Sequence, residues 1–483
     1  MKFTFGGRVL LLGNGAVSQC LQPLLLKHLD MDFSKFTIMD MEPLTNPDSP
    51  LLQAGATFVQ HQITPENLPD SLAARLGSGD LLIDLAWNIQ VTDIVQWCHD
   101  HNVMYVNTAT ELWDPYDTTV PPNQRTLYVR HMLLRDLTSA WKKDGPTIIV
   151  EHGANPGLVS HWTKQALTDI TKSILDRGVS PHKHVNLRAH LEQQAWAPLS
   201  MELDVKVIHI SERDTQISKE PKRTDEFVNT WSVEGFNEEG IAPAEMGWGT
   251  HERHLPANAW TYDYGPGNQI CLSEMGMNTH VRSWVPIHGE IVGMVIRHGE
   301  AFTISDHLTV RDAAGRPLYR PTVHYAYHPS NAAIASLWEM RQRNYRLQPA
   351  QRIMRDDIIE GMDELGVLLL GHDLNGWWTG SQLSIEETRN HVEGQNATTL
   401  QVAASILGAL AWMIKNPQAG FNVADDLPHE EILSVANLYL GTIASEQTDW
   451  TPLKDRVDPF SPYNGYRPHP DDVWQFDTFR VKM

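Results

Sequence analysis

The sequence predicts an α/β protein with an N-terminal doubly wound Rossmann domain, built on a parallel sheet, and a second α+β domain that carries a mixed or antiparallel sheet. Short apolar runs alternate with amphipathic stretches from the N-terminus to Val150, and longer β-rich stretches follow Gly153. The length of 483 residues also exceeds the roughly 250–300 residues at which a single core stops growing. At least two domains are therefore expected.

Six apolar runs are predicted to be the strands of the first domain. They are too uniformly apolar for a sheet with one face in water, and stretches with helical spacing separate them, which is typical of a parallel sheet covered on both faces. The runs are Val9–Leu12, Phe36–Met39, Thr57–Val59, Leu81–Ile83, Val103–Val106 and Thr147–Val150.

The β-rich stretches after Gly153 predict a second sheet. Its strands are expected at Val205–Ser211, Gly293–Ile296 and Pro321–Tyr327, with a hairpin turn at Asp312–Gly315. Ala397–Ile414 is rich in Ala and Leu and is followed by Pro417, which predicts a well-buried helix.

These patterns suggest three parts of the chain. We expect residues 1–153 to form the dinucleotide-binding domain, joined by the returning helix at 397–415. Residues 154–390 are expected to form the substrate and dimerisation domain, and residues 416–483 a C-terminal extension packed on the surface. Within that extension Asp458–Asp472 is rich in Pro and aromatic residues, which favours an irregular segment.

Composition narrows the class of protein. The net charge of -21 repels a nucleic-acid backbone and attracts cations. Solubility is the favoured explanation of this acidity, and the charge is only permissive for a cationic substrate. No signal peptide and no apolar stretch of the roughly 18–20 residues needed for a membrane span are expected. The three cysteines show neither CxxC spacing nor an even disulfide set, which suits a reducing compartment. We therefore expect a soluble cytoplasmic protein without nucleic-acid or membrane partners.

The first predicted strand leads into a dinucleotide fingerprint. The run Gly13-Asn-Gly15-Ala16-Val17-Ser keeps two glycines of G-x-G-x-x-G and has a small serine at the third position. The following helix would present free N–H groups and its positive dipole end to a pyrophosphate. Asp40, at the end of the second strand, would accept from a ribose 2′-hydroxyl and repel a 2′-phosphate, which predicts NAD rather than NADP.

The ends of the later parallel strands should face the same cleft, although most of these residues are expected to be scaffold. Thr108 and Ala109 are the best candidates to touch the nicotinamide half, because short side chains allow close approach. Asn155, in the Gly- and Pro-rich run His152–Gly157, is either a turn former or a ligand. The full set at these strand ends is Asp84, Leu85, Asn88, Asn107, Thr108 and Glu111.

Seven runs in a fixed order identify a resemblance that spans essentially the whole chain. They are Gly13–Gly15, Asn107–Trp113, His152–Gly157, Ile208–Gln216, Asn229–Gly235, Gly247–His254 and Ile296–Glu300. The chain resembles the bacterial homospermidine synthases, which have a saccharopine dehydrogenase-like fold. The resemblance implies a homodimer that keeps NAD as a prosthetic group. It also implies that putrescine is oxidised to an imine, a second putrescine displaces ammonia, and the same cofactor reduces the product to homospermidine.

The resemblance also implies a pocket for putrescine and other polyamines. In it Glu212, Glu239 and Asp363 would be ammonium partners and Trp231 an aromatic wall, and Asn155, Glu111 and His298 would lie near the reacting end. These residue types suit the chemistry, because a carboxylate holds an ammonium strongly, an aromatic face attracts a cation without accepting its proton, and histidine titrates near neutrality.

Without the resemblance these residues would not stand out. Alternation along Val205–Arg213 would leave Glu212 solvated, and Glu239 would fall in an acidic turn at Glu238–Gly240. His251 and His254 are one residue too close for H-E-x-x-H, so no metal is predicted. Asn396-Ala-Thr398 matches a glycosylation sequon that is irrelevant without secretion.

Two other functions remain open at this point. An oxidoreductase such as a saccharopine or carboxyspermidine dehydrogenase shares the fold and needs a cation for its substrate carboxylate. A non-catalytic nucleotide sensor would not bring the second-domain acids to the nicotinamide. The cations available to the dehydrogenase are Arg213, Arg253, Arg282 and Arg297.

Overall fold

The first 150 residues alternate between strands and helices. The computed structural model describes residues 2–44, 49–116, 119–141, 145–456 and 469–481. Up to Val150 the strands are β1 (Phe3–Thr4), β2 (Val9–Leu12), β3 (Leu29–Asp30), β4 (Phe36–Asp40), β5 (Thr57–Gln60), β6 (Leu81–Asp84), β7 (Met104–Asn107) and β8 (Ile148–Val150). The helices are α1 (Ala16–His28), α2 (Pro50–Gln53), α3 (Leu68–Ala73), α4 (Val91–Asp100) and α5 (Leu127–Ser139).

All six predicted strands lie in one parallel sheet, which has seven strands in the described part of the chain, in the order β24-β8-β7-β6-β2-β4-β5. The inner strand β2 is buried along its whole length, as its apolar run predicts. It pairs with β4 on one side and β6 on the other, so the strand order reverses at β2. A crevice opens at the carboxyl ends of the strands at such a reversal, and ligands bind there. The predicted Rossmann domain is confirmed.

The described residues after Val150 add eighteen strands, β9 to β26, and ten helices. The strands are β9 (Val207–Asp214), β10 (Ile217–Ser218), β11 (Glu226–Asn229), β12 (Pro243–Gly247), β13 (Ala259–Thr261), β14 (Gln269–Met275), β15 (His280–Val285), β16 (Gly289–Met294), β17 (Val310–Arg311), β18 (Pro317–Tyr319), β19 (Thr322–His328), β20 (Ala350–Ile353), β21 (Ile358–Glu360), β22 (Met362–His372), β23 (Asn375–Ser384), β24 (Phe421–Val423), β25 (Thr442–Thr448) and β26 (Arg480–Val481). The helices are α6 (Leu158–Arg177), α7 (His184–Glu192), α8 (Trp196–Leu203), α9 (Val233–Ile241), α10 (Glu300–His307), α11 (Asn331–Gln342), α12 (Ile385–His391), α13 (Ala397–Lys415), α14 (His429–Ala436) and α15 (Phe476–Phe479).

The second sheet is mixed and has eleven strands within the described residues, which confirms the predicted second domain. Its strand β9 runs parallel to β19 and antiparallel to β22. The predicted hairpin turn joins β17 to β18. The strand expected at Gly293–Ile296 lies instead at Gly289–Met294, because the chain leaves the sheet after Met294 and continues towards His298.

Helix α13 lies between the two sheets. It packs on α1 of the first domain and on β22 and β23 of the second, and Leu400, Leu407 and Leu410 are buried. By length and composition α13 is apolar enough to span a membrane, contrary to the expectation that no stretch approaches this. Because 83% of its apolar window is buried within the protein, it is a core helix.

The C-terminal part differs from the predicted surface extension. β24 is an edge strand of the first sheet, β25 pairs with β23 in the second, and α14 packs on α6 and α13. These segments are part of the two domains: β24 and β25 each extend a sheet by one strand, and α14 covers apolar surface of α6 and α13. Most of the predicted irregular stretch Asp458–Asp472 lies outside the described residues.

Candidate active site

The glycine loop between β2 and α1 has the geometry of a phosphate cradle. Gly13 has φ +84°, and a Cβ there would lie 2.6 Å from the carbonyl oxygen of Leu85, so only glycine fits. A Cβ on Gly15 would meet nothing within 4 Å, so this side of the loop is open. Gly15 is the N-cap of α1 and provides no side-chain cap, which leaves first-turn N–H groups available to an anion.

Asp40 holds this loop from the side of β4. Its Oδ2 accepts a hydrogen bond of 2.5 Å from the Asn14 amide, and its Oδ1 accepts one of 2.8 Å from the Glu42 amide. Each carboxylate oxygen has a second lone pair. Asp40 can therefore position the loop and also accept from a ribose hydroxyl.

Two adjoining hollows meet at the carboxyl ends of the strands. The long groove, about 1100 Å³, runs from the glycine loop past Asp40 to the second-domain segment 351–355. The inner cavity, about 230 Å³, lies between the two domains. They share Val17, Leu85, Ala86, Trp87 and Ser232.

The predicted site residues divide between these hollows. Gly13, Gly15, Ala16, Val17 and Asp40 line the groove. The inner cavity is lined by Asp84, Leu85, Thr108, Ala109, Glu111, Asn155, Glu212, Trp231, Glu239 and His298. Asp363 is not among its lining residues and lies behind Glu212.

Glu212 is buried on β9, not solvated as simple alternation suggests. β9 runs between β19 and β22, and its residues from Val207 to Glu212 are all buried. The Glu212 carboxylate accepts from the Tyr325 hydroxyl and, at 3.4 Å, from the Asn155 amide. Burial, partly offset by the Tyr325 hydrogen bond, raises the pKa of Glu212 to about 8.

Asp363, on β22, forms a carboxyl pair with Glu212. Burial, then the charge of Glu212, raises the pKa of Asp363 well above its usual value. The hydroxyl of Thr398, in the first turn of α13, donates to the Asp363 carboxyl group. Two adjacent buried acids cannot both ionise readily, so the pair retains a proton near neutrality.

Trp231 is fixed on two sides. Its Nε1 donates to the Tyr327 hydroxyl at 3.0 Å, and its ring stacks on Phe236 with centroids 5.3 Å apart. The side chain is half-buried and lines the inner cavity. An aromatic face next to buried carboxylates attracts a cation.

His298 joins two elements of the second domain. Its Nε2 lies 3.0 Å from Glu239 on α9, and its Nδ1 lies 3.5 Å from Glu300 at the start of α10. Burial lowers the pKa of His298, but the charges of Glu239 and Glu300 outweigh it and the net pKa lies well above the usual value. Glu239 belongs to a helix and not to the predicted acidic turn, because Ser232 caps α9 by accepting from the Gly235 amide.

A second cluster surrounds Glu238, which the sequence patterns did not single out. Its Oε1 accepts from Arg130 at 2.7 Å and also from Arg297. All three side chains are at least nine-tenths buried. Burial, then the charge of Glu238, raises the pKa of neighbouring Glu111 to about 8.

Glu151 is another lining residue that the sequence patterns did not identify. It follows β8 with φ +57° and accepts at 2.8 Å from both His131 and Thr110. Burial raises its pKa, but His131 and these hydrogen bonds outweigh it and the net pKa is lowered. A Cβ on Gly299 would lie 1.8 Å from Glu151 Oε2. The strand-end rule that selected Asp84 also covers Glu151.

The lining charge of the inner cavity is acidic. Its described lining residues include six carboxyl side chains, two arginines and one histidine. The arginines, Arg130 and Arg297, are both paired with Glu238. The remaining arginines considered for a dehydrogenase do not line the cavity: Arg213 donates to the Asp214 and Pro329 carbonyl oxygens, Arg253 pairs with Asp472 and Arg282 pairs with Glu290.

Two protein-family domains match consecutive parts of the chain. Residues 9–149 match the saccharopine dehydrogenase NADP binding domain. Residues 153–447 match the saccharopine dehydrogenase C-terminal domain. A solved saccharopine dehydrogenase from Saccharomyces cerevisiae is 12% identical with a TM-score of 0.50, and covers 92% of this chain and 100% of its own, so it is similar in fold alone.

Three proteins with higher identity to this chain are homospermidine synthases. The homospermidine synthase of Blastochloris viridis is 39% identical over 99% of this chain and 98% of its own. That of Mesorhizobium japonicum is 38% identical over 99% and 96%. A solved homospermidine synthase from Legionella pneumophila, in complex with NAD, is 36% identical with a TM-score of 0.88, and covers 100% of this chain and 99% of that one. The chain therefore belongs to the homospermidine synthase family, on the saccharopine dehydrogenase-like fold.

Proposed function

We propose that this protein is a homospermidine synthase, an NAD-dependent aminobutyl transferase. It oxidises putrescine to an imine, condenses the imine with a second putrescine as ammonia leaves, and reduces the product to homospermidine. The observation that carries this proposal is the acidic inner cavity, which adjoins the glycine-loop groove and whose arginines are already paired with Glu238. A carboxylate-rich cavity favours a diammonium substrate.

The residues of the groove fit NAD. The loop at Gly13 and Gly15, with the start of α1, would hold the pyrophosphate, and Asp40 the ribose. Thr108 and Ala109 would border the nicotinamide. Buried polar atoms without a protein partner, Trp87 Nε1 and Asn88 Oδ1, also face this region. When bound, NAD accepts a hydride from the substrate carbon and later returns it, so there is no net redox change.

The chain's own residues divide the remaining work. Glu212, with Asp363 behind it and Asn155 beside it, holds the ammonium that stays charged. The Trp231 ring faces the reacting end, where it stabilises a cation without accepting its proton. His298, paired with Glu239, exchanges the proton of the reacting nitrogen. Glu111, whose Oε2 is buried without a protein partner, is a second ammonium contact.

The dehydrogenase alternative is less well supported. A saccharopine or carboxyspermidine dehydrogenase needs a cation for the substrate carboxylate, and among the described lining residues the arginines and His298 are already paired with glutamates. The spread of acids around one cavity also argues against a non-catalytic nucleotide sensor.

We also propose a domain assignment, a cellular location and an oligomeric state. Residues 1–153 with α13 and β24 form the NAD domain, and residues 154–390 carry the substrate residues. The three cysteines are free and buried, which supports a reducing cytoplasm. The family resemblance supports a homodimer, which light scattering of the purified protein tests.

The decisive experiment uses putrescine deuterated on both carbons next to nitrogen. With catalytic NAD, homospermidine should retain the migrating label at one carbon beside the new secondary amine, and ammonia should appear in step with product. Unlabelled NADH in solution should barely dilute the label if the closed site excludes exchange. Accumulation of NADH with turnover, or a requirement for a keto acid, would place the protein among the dehydrogenases.

A further inference from the structure

Two arginines of the second domain line the long groove on the side opposite the glycine loop. Arg352 lies on β20 and Arg355 follows it, and both line the groove. Arg352 is neutralised, because it pairs with Glu226 at 2.9 Å and with Asp357 at 2.5 Å. Its remaining donors reach Ser218 and the Glu220 carbonyl oxygen.

Arg355 differs from Arg352 in its partners. Among the described residues, the protein acceptor that its guanidinium reaches is Gln19 Oε1, a neutral group 2.7 Å from Nη1. Gln19 lies on α1 and donates from Nε2 to the Asn14 carbonyl oxygen at 2.8 Å. The Asn14 amide in turn donates to Asp40. A chain of hydrogen bonds thus leads from Arg355 of the second domain into the glycine loop of the first.

Within the described part of the chain, Arg355 differs from the other charged residues of the groove in having a positive charge that no acid in contact with it neutralises. The acids that line it are Asp40, Asp114 and Glu234, and the cationic side chains besides histidine are Arg352 and Arg355. Since Arg352 is already neutralised, Arg355 is the remaining guanidinium that can offer charge to an anion in the described part of the groove. A pyrophosphate carries negative charge, and an arginine fork binds it through two N–H groups.

From these contacts we infer that Arg355 binds the cofactor pyrophosphate from the second domain and thereby retains NAD in the enzyme between turnovers. The inference rests on the proposed function in so far as NAD is the cofactor. It deepens that function by naming a cofactor-binding residue on the wall of the groove opposite the glycine loop.

The hydrogen bonds that hold the backbone next to Arg355 also hold the backbone next to Trp231. β20 pairs in parallel with β11, and the Met354 amide donates to the Asn229 carbonyl oxygen at 2.8 Å. The Asn396 side chain, at the N-cap of α13, donates to the carbonyl oxygens of Thr230 at 2.6 Å and Met354 at 2.8 Å. These are the residues immediately before Trp231 and Arg355. The backbone before Arg355 and the backbone before Trp231 are therefore held by the same side chain, Asn396. This shared anchor fixes the position of the cofactor-binding arginine relative to the tryptophan of the substrate cavity.

The test compares wild type, Arg355→Gln, Arg355→Lys and, as a matched control, Arg346→Gln, which removes an exposed arginine outside the groove. Two readouts do not depend on turnover: NAD released from the purified protein by acid, and the rate at which bound NAD exchanges with isotopically labelled NAD. Thermal unfolding of each NAD-free protein checks its fold.

Wild type and Arg346→Gln should retain NAD and exchange it slowly. Arg355→Gln should exchange NAD at least about tenfold faster, as expected for loss of one hydrogen bond to a charged group. Arg355→Lys should be intermediate, because it keeps charge and loses the fork. The exchange rate of wild type should also rise more steeply with salt than that of Arg355→Gln.

Each outcome decides one point. If Arg355→Gln exchanges NAD at the wild-type rate, the retention role is wrong and the proposed function stands. If Arg355→Gln does not fold, Arg355→Lys decides, and a wild-type exchange rate in that variant overturns the role of the fork. If wild type itself binds no NAD, the cofactor of the proposed function is wrong instead.

Discussion

The ring of His298 lies 3.0 Å from the carboxylate of Glu239, so a loop that enters the active site is pinned to helix α9 by an ion pair. Glu239 and Glu300 outweigh the effect of burial and hold the pKa of His298 well above its usual value. His298 is therefore charged in the folded protein at neutral pH.

This pair should contribute stability in a defined pH range. Because the pKa of His298 is raised on folding, its contribution is complete below the unfolded value of about 6.5 and is lost as pH rises through the folded value. Thermal unfolding across pH should show that His298→Gln lowers Tm most below pH ~6.5, with a difference that shrinks at alkaline pH. His254→Gln, at an exposed site, is the control. A pH-independent difference would contradict the charge.

The proton held by Glu212 and Asp363 should set the acidic limb of the pH profile. Burial raises the pKa of both groups, that of Glu212 to about 8, so Glu212 gains its charge only as pH rises. Asp363 lowers the pKa of Glu212 through the hydrogen bond between the two groups, so Asp363→Ala, which removes that hydrogen bond, should shift the acidic limb of kcat/KM for putrescine to higher pH. Glu252→Gln, at a buried acid outside the cavity, should not move it. An acidic limb that stays in place in Asp363→Ala would exclude coupling of the pair.

Trp231 should act through its ring face. Trp231→Phe keeps a ring against Phe236 and loses the hydrogen bond to Tyr327, whereas Trp231→Leu loses both. A cation–π contact of about 0.5–2 kcal/mol predicts a kcat/KM roughly 2- to 30-fold lower for Leu than for Phe. Tyr327→Phe measures the hydrogen bond alone. Equal rates for Leu and Phe in folded, NAD-loaded protein would leave only a packing role.

Asp40 should favour NAD over NADP. Asp40→Asn removes the charge that repels a 2′-phosphate and keeps an acceptor for the Asn14 amide, so it should raise the use of NADP relative to NAD. Asp40→Ala also removes that acceptor and should weaken the binding of both cofactors. Dissociation constants for the two cofactors, measured on stripped protein, check this. Equal affinities in wild type would refute the role of Asp40.

Glu238 should be important for stability. Its carboxylate compensates two buried arginines, Arg130 and Arg297, and removing one member of a buried ion pair costs about 3–5 kcal/mol. Glu238→Gln should lower the free energy of unfolding in urea by about that amount. The control Glu220→Gln breaks an exposed pair with Arg223 and should cost at most about 1 kcal/mol. Similar losses in both variants would disprove the compensation.

The sequence revealed the first sheet because its strands are buried on both faces, which leaves unbroken apolar runs such as Val9–Leu12. Glu212 illustrates the limit of the same logic. Alternation assigns a face of a strand, but whether water reaches that face depends on β19, β22 and Tyr325, which come much later in the chain.

Several residues of the inner cavity are either predicted only through the family resemblance or not predicted at all, because their positions depend on contacts between distant parts of the chain. Glu239 is helical because of a cap at Ser232 that an acidic, glycine-containing run conceals. Glu151 and His131 meet through packing of α5 on the strand ends, a contact that spacing along the chain does not encode. Only the position of Glu151 at a strand end could have drawn attention to it.

The first sheet obtains its last strand, β24, from Phe421–Val423, and the cover of α1 comes from α13. As the chain emerges from the ribosome, residues 1–153 therefore appear with the edge of β8 unpaired and the apolar side of α1 bare. Domains usually fold in the order of synthesis, but this one must wait for a segment that is among the last to be made. A fragment cut after residue 153 should consequently aggregate through its open edge, and a nascent chain should depend on chaperones until translation has passed Val423.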